Sequence, residues 1–199
     1  FDAKEAAKRW PFLDAGSFRS AILSAEGGTL FCQRIARDLK RWLDVNGAIV
    51  RTGTRVAAVD PDSGTVTTTS GDRIEGDRAI VTAGAWTAKL VPSVTQSITA
   101  YRTAVVYLEP PSDVAAAWAS APVFVDVGGD VDGYVLAPVN GTGLKFGAGV
   151  HKVVEPDADA NRAVIAGEGD RLRSNFAKPF RAIETYKILE VKTCAYAFT

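Results

Sequence analysis

The stretch GYVLAPVNGTGLKFGAG, residues 133–149, places two β-rich runs on either side of an Asn-Gly pair. Asn140-Gly141 favours a tight hairpin turn, because both central residues of such a turn need a positive φ. We therefore predict two strands, 133–137 and 143–149, that pair through this turn. Together with the other β-rich runs of the chain, the hairpin predicts a mostly antiparallel sheet.

Further runs rich in β-branched and aromatic residues predict the remaining strands. They cover residues 21–25, 48–52, 55–60, 65–69, 78–82, 97–108, 123–127 and 183–198. Turn residues at 60–64 (Asp-Pro-Asp-Ser-Gly) and 70–72 (Ser-Gly-Asp) separate neighbouring runs. The spacing within 48–82 predicts a small antiparallel layer.

Apolar residues at helical spacing predict a helix over residues 30–46, with Gly47 as its left-handed terminator. The apolar stripe of this helix is expected to pack on a sheet. Residues 2–10 are a short helix that Asp2 caps and Pro11 ends. The other predicted helices are 85–90, 112–119, and 157–176, which starts at the acidic pair Asp157 and Asp159 and breaks near Gly167 and Gly169. The sum is an α+β fold, a mostly antiparallel sheet with flanking helices.

Composition argues against several classes of function. The 199 residues carry 23 Lys plus Arg against 23 Asp plus Glu, so no excess of positive charge points to a nucleic acid or an anionic membrane. Charged residues interrupt every apolar run before it reaches the roughly 20 residues that a membrane span needs. One histidine and two widely separated cysteines form no metal-binding spacing, and they favour a reducing, cytoplasmic setting. We expect no metal site.

Three common motifs are absent from the 199 residues. The lack of Gly-x-Ser-x-Gly argues against a serine hydrolase with His151 as its base. The lack of Gly-x-Gly-x-x-Gly and of Gly-x-x-x-x-Gly-Lys-Ser/Thr leaves these residues without a recognisable dinucleotide or phosphate cradle. The chain begins at Phe1, contains no Met and ends on an apolar run, and we expect it to be an internal piece of a longer protein.

Residues 78–86, RAIVTAGAW, run from a buried strand through a glycine turn into a helix. Ala83-Gly84-Ala85 presents bare backbone N–H groups at the start of that helix, where a phosphate or a flat ring can approach without obstruction by side chains. The same sequence also suits a simple tight turn between a strand and a helix. Both interpretations stay open at this point.

Five short segments occur in a characteristic order. They are 53–60 (GTRVAAVD), 79–90 (AIVTAGAWTAKL), Tyr101-Arg102 followed by 107–110 (YLEP), 143–147 (GLKFG) and 193–196 (TCAY). In this order they resemble the FAD-dependent D-amino-acid oxidase superfamily, and most of all its branch of monomeric sarcosine oxidase and N-methyltryptophan oxidase. The resemblance spans nearly the whole chain. It implies an internal fragment without the N-terminal Gly-x-Gly-x-x-Gly unit and without the C-terminal segment.

The resemblance implies a division of the chain by function. Residues 1–92 would be part of the FAD-binding region, with the helix 30–46, the small antiparallel layer 48–82 and a flavin-contact turn at 83–86. Residues 93–199 would form the substrate-binding domain, which holds the antiparallel sheet.

The resemblance also implies roles for two reactive side chains. Lys145 takes the place of the lysine beside the flavin ring that assists oxygen reduction, and the glycines on both sides of it would let a flat ring approach. A solvated surface lysine is the alternative. Cys194 takes the place of the cysteine that bonds covalently to the flavin, and Lys192 would lower the pKa of its thiol. A buried core cysteine is the alternative.

Tyr134 and Tyr196 take the places of two aromatic residues that line the substrate pocket, although ordinary packing would explain them equally well. The family implies further cofactor contacts at Val56, Ala83, Gly84 and Trp86. His151 is expected at the surface and Cys32 in the core.

The implied function is that of an FAD-dependent amine oxidase acting on CH-NH bonds. Hydride would pass from a secondary or N-methyl amine of a small amino acid to the flavin, and electrons would then reduce O2 to H2O2. The implied cofactor is FAD, attached through Cys194, and residues 1–199 alone are expected not to retain it. The protein would be a cytoplasmic monomer without nucleic-acid or membrane partners. A dehydrogenase of the same superfamily and a noncatalytic ligand-binding domain stay open as alternatives.

Overall fold

The computed structural model describes residues 1–199, which divide into two compact units. The large-sheet unit consists of residues 1–29, 102–155 and 159–195, and the small-sheet unit consists of residues 30–101, 156–158 and 196–199. The functional division near residue 92 stays a prediction.

The chain forms five α-helices and nine strands, connected by turns and short 3₁₀ segments. The helices are α1 Ala3–Arg9, α2 Cys32–Val45, α3 Thr87–Leu90, α4 Ser112–Ala119 and α5 Glu168–Ser174. The strands are β1 Val56–Val59, β2 Val66–Thr68, β3 Arg73–Ile74, β4 Thr99–Glu109, β5 Phe124–Val127, β6 Gly133–Leu136, β7 Leu144–Ala148, β8 Val153–Val154 and β9 Lys187–Phe198. Helices with antiparallel strands confirm the predicted α+β fold.

The large sheet is built around the predicted hairpin. Its strand order is β5-β6-β7-β4-β8, and β9 also pairs with β4. Strands β6 and β7 pair antiparallel, with Tyr134 opposite Gly147 and Leu136 opposite Lys145. Asn140-Gly141 takes the left-handed conformation that the turn requires, with φ of 46° and 80°. The hairpin is therefore confirmed.

One face of the large sheet carries the core. Alternate residues of the central strands β4 and β7 are buried there, including Val106, Leu108 and Phe146. They pack against aromatic residues from outside the sheet, namely Phe12, Trp118, Phe176, Phe180 and Tyr186. The indole Nε1 of Trp118 donates to the hydroxyl of Tyr186 at 2.9 Å, so the one polar atom of this indole is satisfied within the core. The opposite face of the same strands carries Lys145 of β7 and its register partner Tyr107 of β4.

The small sheet has the order β1-β2-β3 with antiparallel pairing, so the predicted strands 55–60 and 65–69 form, while its third strand β3 was not predicted. The predicted strands 21–25, 48–52 and 78–82 are wrong, because these residues form no strand. Ile49 and Ile80 are 87% and 88% exposed. A β-rich sequence becomes a strand only where a neighbouring strand meets its backbone groups, and these runs have none alongside.

The predicted helices agree with the structure only in part. Helix α1 begins with the predicted cap, because the Asp2 carboxylate accepts from the backbone N–H of Glu5 and the Glu5 carboxylate accepts from that of Asp2. The apolar stripe of α2 was expected to pack on a sheet, but it does not, since Leu39 and Trp42 are 53% and 60% exposed. The helix predicted over 157–176 is confined to α5, and Asp157 pairs with Lys89 instead of starting a helix.

No helix combines the length and the apolar composition that crossing a membrane requires. No group of three or more His, Cys, Asp or Glu side chains comes together in a way that could hold a metal ion. Both cysteines are free, and Cys32 is exposed instead of lying in the core as expected. It begins α2, a helix without buried residues.

Candidate functional site

Lys145 lies on the face of the large sheet opposite the core. Its neighbours on β7, Leu144 and Phe146, are buried in the core, so strand alternation turns Lys145 to the other face. Its Cα pairs with Tyr107 on β4 and with Leu136 on β6. The side chain is partly buried there, unlike that of a freely solvated lysine.

Two tyrosines from the neighbouring strands, Tyr107 of β4 and Tyr134 of β6, flank Lys145. A Cβ built on Gly147 would stand 2.5 Å from Cε1 of Tyr134 and 2.6 Å from its hydroxyl oxygen, and a Cβ on Gly143 would stand 3.2 Å from Cδ1 of Tyr107. Each ring therefore fills the space beside a glycine. The Nζ of Lys145 lies 5.5 Å from the centroid of the Tyr134 ring, within cation–π range. We call Tyr107, Lys145 and Tyr134 the aromatic slot.

The slot changes the expected reason for the two glycines. The sequence predicts that they let a flat cofactor ring approach the backbone, whereas the structure fills both spaces with tyrosine rings. The glycines thus serve to place aromatic side chains beside Lys145. Tyr134 and Lys145 lie together, as their predicted roles require, and the roles themselves stay predictions.

A second lysine reaches the slot from β9. The Nζ of Lys192 lies 5.0 Å from the centroid of the Tyr107 ring and 3.0 Å from the Glu190 carboxylate. The hydrogen bond from Lys192 to Glu190 raises the pKa of this lysine, so it stays cationic. Cys194, two residues further along β9, is partly buried. Lys192 thus contacts Glu190 and Tyr107. Its effect on the Cys194 thiol stays a prediction.

The small-sheet unit contains a cleft of about 350 Å³. Val56 of β1 lines it together with residues 78–83, so two predicted cofactor contacts, Val56 and Ala83, share one cavity. Gly84 follows with φ of +54°, and the space where its Cβ would stand is open. Trp86 ends the 3₁₀ segment Gly84–Trp86 and is 37% exposed. Neither Gly84 nor Trp86 lines the cleft.

Tyr196 lies near the end of β9 and belongs to the small-sheet unit. Its side chain is 44% exposed, which makes it an accessible aromatic surface and not a core residue. Its predicted role in substrate binding stays a prediction.

A buried ionic cluster that no sequence motif indicates occupies the large-sheet unit. Glu168, at the start of α5, is 1% exposed and accepts from both terminal nitrogens of Arg102, at 2.6 and 2.9 Å. It also accepts from the backbone N–H of Ile165 at 2.9 Å and from Nε2 of His151 at 3.0 Å. The Arg102 guanidinium, followed by the smaller effects of the other two donors, lowers the pKa of Glu168 to about 2.

His151 is a member of this cluster, so its expected place at the surface is wrong. Its side chain is only 16% exposed. The ionised Glu168 can only accept, which requires the proton of His151 on Nε2. Arg102 also donates to the carbonyl oxygens of Asn161 and Ala163, at 2.6 and 2.8 Å, and so holds the irregular segment 159–167. The one feature of the sequence that indicates this cluster is Arg102, a charged residue within the β-rich run 97–108.

Solved structures with this fold cover the whole chain. A glycine oxidase from Geobacillus kaustophilus matches with a TM-score of 0.76 and 21% identity, over 100% of this chain and 50% of that protein. An L-proline dehydrogenase from P. horikoshii matches with a TM-score of 0.78 and 17% identity, over 100% of this chain and 52% of that protein. The chain therefore has the α+β fold of this class of proteins.

The chain belongs to the family of FAD-dependent oxidoreductases known as DAO, whose sequence model matches residues 1–197. A monomeric sarcosine oxidase from Bacillus sp. (strain B-0618) is 33% identical over 99 residues, which are 49% of this chain and 25% of that protein. The resemblance drawn from the sequence is thereby confirmed. The chain spans about half the length of the solved relatives and aligns with a quarter of the sarcosine oxidase.

The residues present fit the cofactor of this family. A cleft lined mostly by apolar residues, followed along the chain by Gly84 with open space at its Cβ position, suits a flat ring and a phosphate that need close approach. In the large-sheet unit, Lys145 carries a positive charge that lies within cation–π range of the Tyr134 ring. The roles of these residues toward FAD stay predictions.

Proposed function

We propose that the whole protein is an FAD-dependent oxidase that acts on a secondary or N-methyl amine of a small amino acid. The aromatic slot around Lys145 carries this proposal, because an oxidase needs a fixed cation where negative charge develops on oxygen. The 33% identity to a protein named monomeric sarcosine oxidase supports the choice of an N-methyl amino acid. A cytoplasmic monomer is part of the same proposal.

FAD, when bound, would supply the redox chemistry by accepting a hydride from the amine and passing two electrons to O2, which gives H2O2. Lys145 holds the positive charge for the oxygen step. Tyr134 and Tyr196 shape and orient the amine. The cofactor would be held by Val56, Ala83, Gly84 and Trp86, and covalently by Cys194.

Anaerobic mixing of the whole flavoprotein with N-methylglycine tests the substrate class. We expect the amine to bleach the flavin absorbance and air to restore it with release of H2O2. Bleaching followed by recovery only with an electron carrier would favour the dehydrogenase alternative, for which a fixed cation at position 145 has no use. A protein that N-methylglycine, glycine and proline all leave unbleached would contradict the proposal.

We predict that Cys194 carries the flavin through a covalent bond in the whole protein. The position of Cys194 on β9, two residues before Tyr196, motivates this prediction. Precipitation of the denatured protein with acid should leave the yellow colour in the pellet, and Cys194→Ala should move it to the supernatant. Cys32→Ala is the matched control, because Cys32 is the other free cysteine of these residues. Release of all flavin from the unsubstituted protein would show that the bond is absent.

Residues 1–199 on their own are expected to hold no tightly bound FAD. They lack the Gly-x-Gly-x-x-Gly turn that binds a pyrophosphate at a helix N-terminus. Desalting the purified residues after incubation with FAD, followed by an absorbance spectrum, measures retention. A flavin band that survives desalting would contradict the prediction.

A further inference from the structure

The space around Lys145 is closed on both sides along its strand. Gly147 of β7 and Gly143, the residue just before β7, stand two residues after and before Lys145, so strand alternation places them on the same face. The Tyr107 ring covers the first glycine and the Tyr134 ring covers the second. The Lys145 ammonium lies 5.5 Å from the centroid of the Tyr134 ring, and Tyr107 stands opposite Lys145 on β4. We expect the two rings to restrict the rotamers of this lysine.

The ring of Tyr107 is itself held from β9. The Lys192 ammonium lies 5.0 Å from the centroid of that ring, and Glu190 holds the ammonium at 3.0 Å. Since Tyr107 is the direct register partner of Lys145, any shift of its ring changes the wall of the slot. Contacts thus run from Glu190 through Lys192 to Tyr107, and Tyr107 stands directly opposite Lys145 in the strand register.

We propose that Tyr107 is a positioning residue for Lys145, and that Lys192 fixes Tyr107 in turn. The proposal rests on the role of Lys145 given under Proposed function and deepens it. Tyr107 keeps the ammonium of Lys145 where oxygen reacts, and the aromatic ring does this, not the hydroxyl. Lys192 acts through the ring and touches neither oxygen nor substrate.

Variants that keep or remove the ring provide the first test, in the whole flavoprotein. Tyr107→Phe should reoxidise with oxygen within about twofold of the parent, and Tyr107→Leu should be slower by about tenfold, with flavin reduction by amine unchanged in both. Equal rates for the Phe and Leu variants would overturn the proposal. A ring that served only to stabilise the sheet would move both half-reactions together, and that outcome also overturns it.

Two lysines of β9 provide a matched pair. Lys192→Met should slow reoxidation by about threefold or more, because Tyr107 loses its cation. Lys187→Met is the control, since Lys187 lies on the same strand and pairs with Glu109 at 3.4 Å with a side chain 73% exposed. Equal effects of the two substitutions would contradict the role of Lys192.

A measurement that needs no turnover separates this proposal from the proposed function. Lysines of the whole protein are methylated with ¹³C, and the Lys145 signal is identified by its loss in Lys145→Met. Tyr107→Leu should move that signal towards the position of exposed lysines, and Tyr107→Phe should leave it in place. An unmoved signal in Tyr107→Leu overturns the positioning role. If Lys145→Met leaves reoxidation unchanged, the oxygen role fails, while a moved signal still supports positioning.

Discussion

Reoxidation of the reduced flavoprotein by oxygen is expected to slow by about a hundred- to a thousandfold when Lys145 is replaced by methionine. The reason is electrostatic, because a positive charge already held in place stabilises charge that develops on oxygen without further reorganisation. Methionine keeps the length and apolar character of the stem, so the slot stays filled while the charge is lost. Stopped-flow measurement of the two half-reactions gives the result directly.

The same experiment separates Lys145 from Tyr196. Tyr196→Leu should slow flavin reduction by the amine and leave reoxidation nearly intact, because shaping a substrate site affects orientation. Tyr134→Leu should slow both half-reactions, because its ring also lies 5.5 Å from the Lys145 ammonium. Lys187→Met serves as the charge control on an exposed position. Reoxidation of Lys145→Met within about threefold of the parent rate would return Lys145 to the role of an ordinary surface lysine.

Glu168→Gln is expected to lower the free energy of unfolding by about 3–5 kcal/mol. The amide removes the negative charge and leaves the Arg102 guanidinium, whose own side chain is 7% exposed, without its counter-ion. Chemical unfolding monitored by tryptophan fluorescence measures the loss, since Trp118 lies in the core of the same unit. Asp170→Asn is the control on the same helix, since the Asp170 carboxylate is 66% exposed and pairs with Arg173. This substitution should lower the free energy of unfolding by less than about 1 kcal/mol.

The pH dependence of stability follows from the same carboxylate. Its pKa falls from 4.5 in the unfolded chain to about 2 in the folded protein, so the folded state favours the ionised form. The contribution is fully present above pH 4.5 and is lost as pH falls towards 2. Glu168→Gln should therefore flatten the acid limb of the stability curve. An acid limb identical to that of the parent would contradict the assignment.

Local signals in the sequence predicted much of the fold. The hairpin of β6 and β7 follows from two residues that favour positive φ, and α1 follows from a cap and a proline. These features depend on residues within a few positions of one another. The alternation of Leu144, Lys145 and Phe146 is likewise local, since a strand period of two turns Lys145 away from the core that its neighbours enter.

Contacts between distant parts of the chain could not be predicted in the same way. Arg102 and Glu168 are 66 positions apart, and neither residue type alone indicates a buried pair. The runs 48–52 and 78–82 have strand composition, yet a strand also depends on a neighbour that composition does not specify. Gly143 and Gly147 indicate that another group approaches the backbone on each side of Lys145. The tyrosines that occupy this space come from other strands, which the glycines do not specify.

The contact of Tyr134 with Gly147 has a consequence for how this sequence can evolve. No residue with a Cβ fits at position 147 while the ring at position 134 keeps its place. The two positions therefore behave as one unit of mutation, and a lineage that enlarges residue 147 must first, or at the same time, shrink residue 134. That exchange would also remove the aromatic ring beside Lys145. Substitution of a glycine that has no side chain of its own could therefore change the surroundings of this lysine.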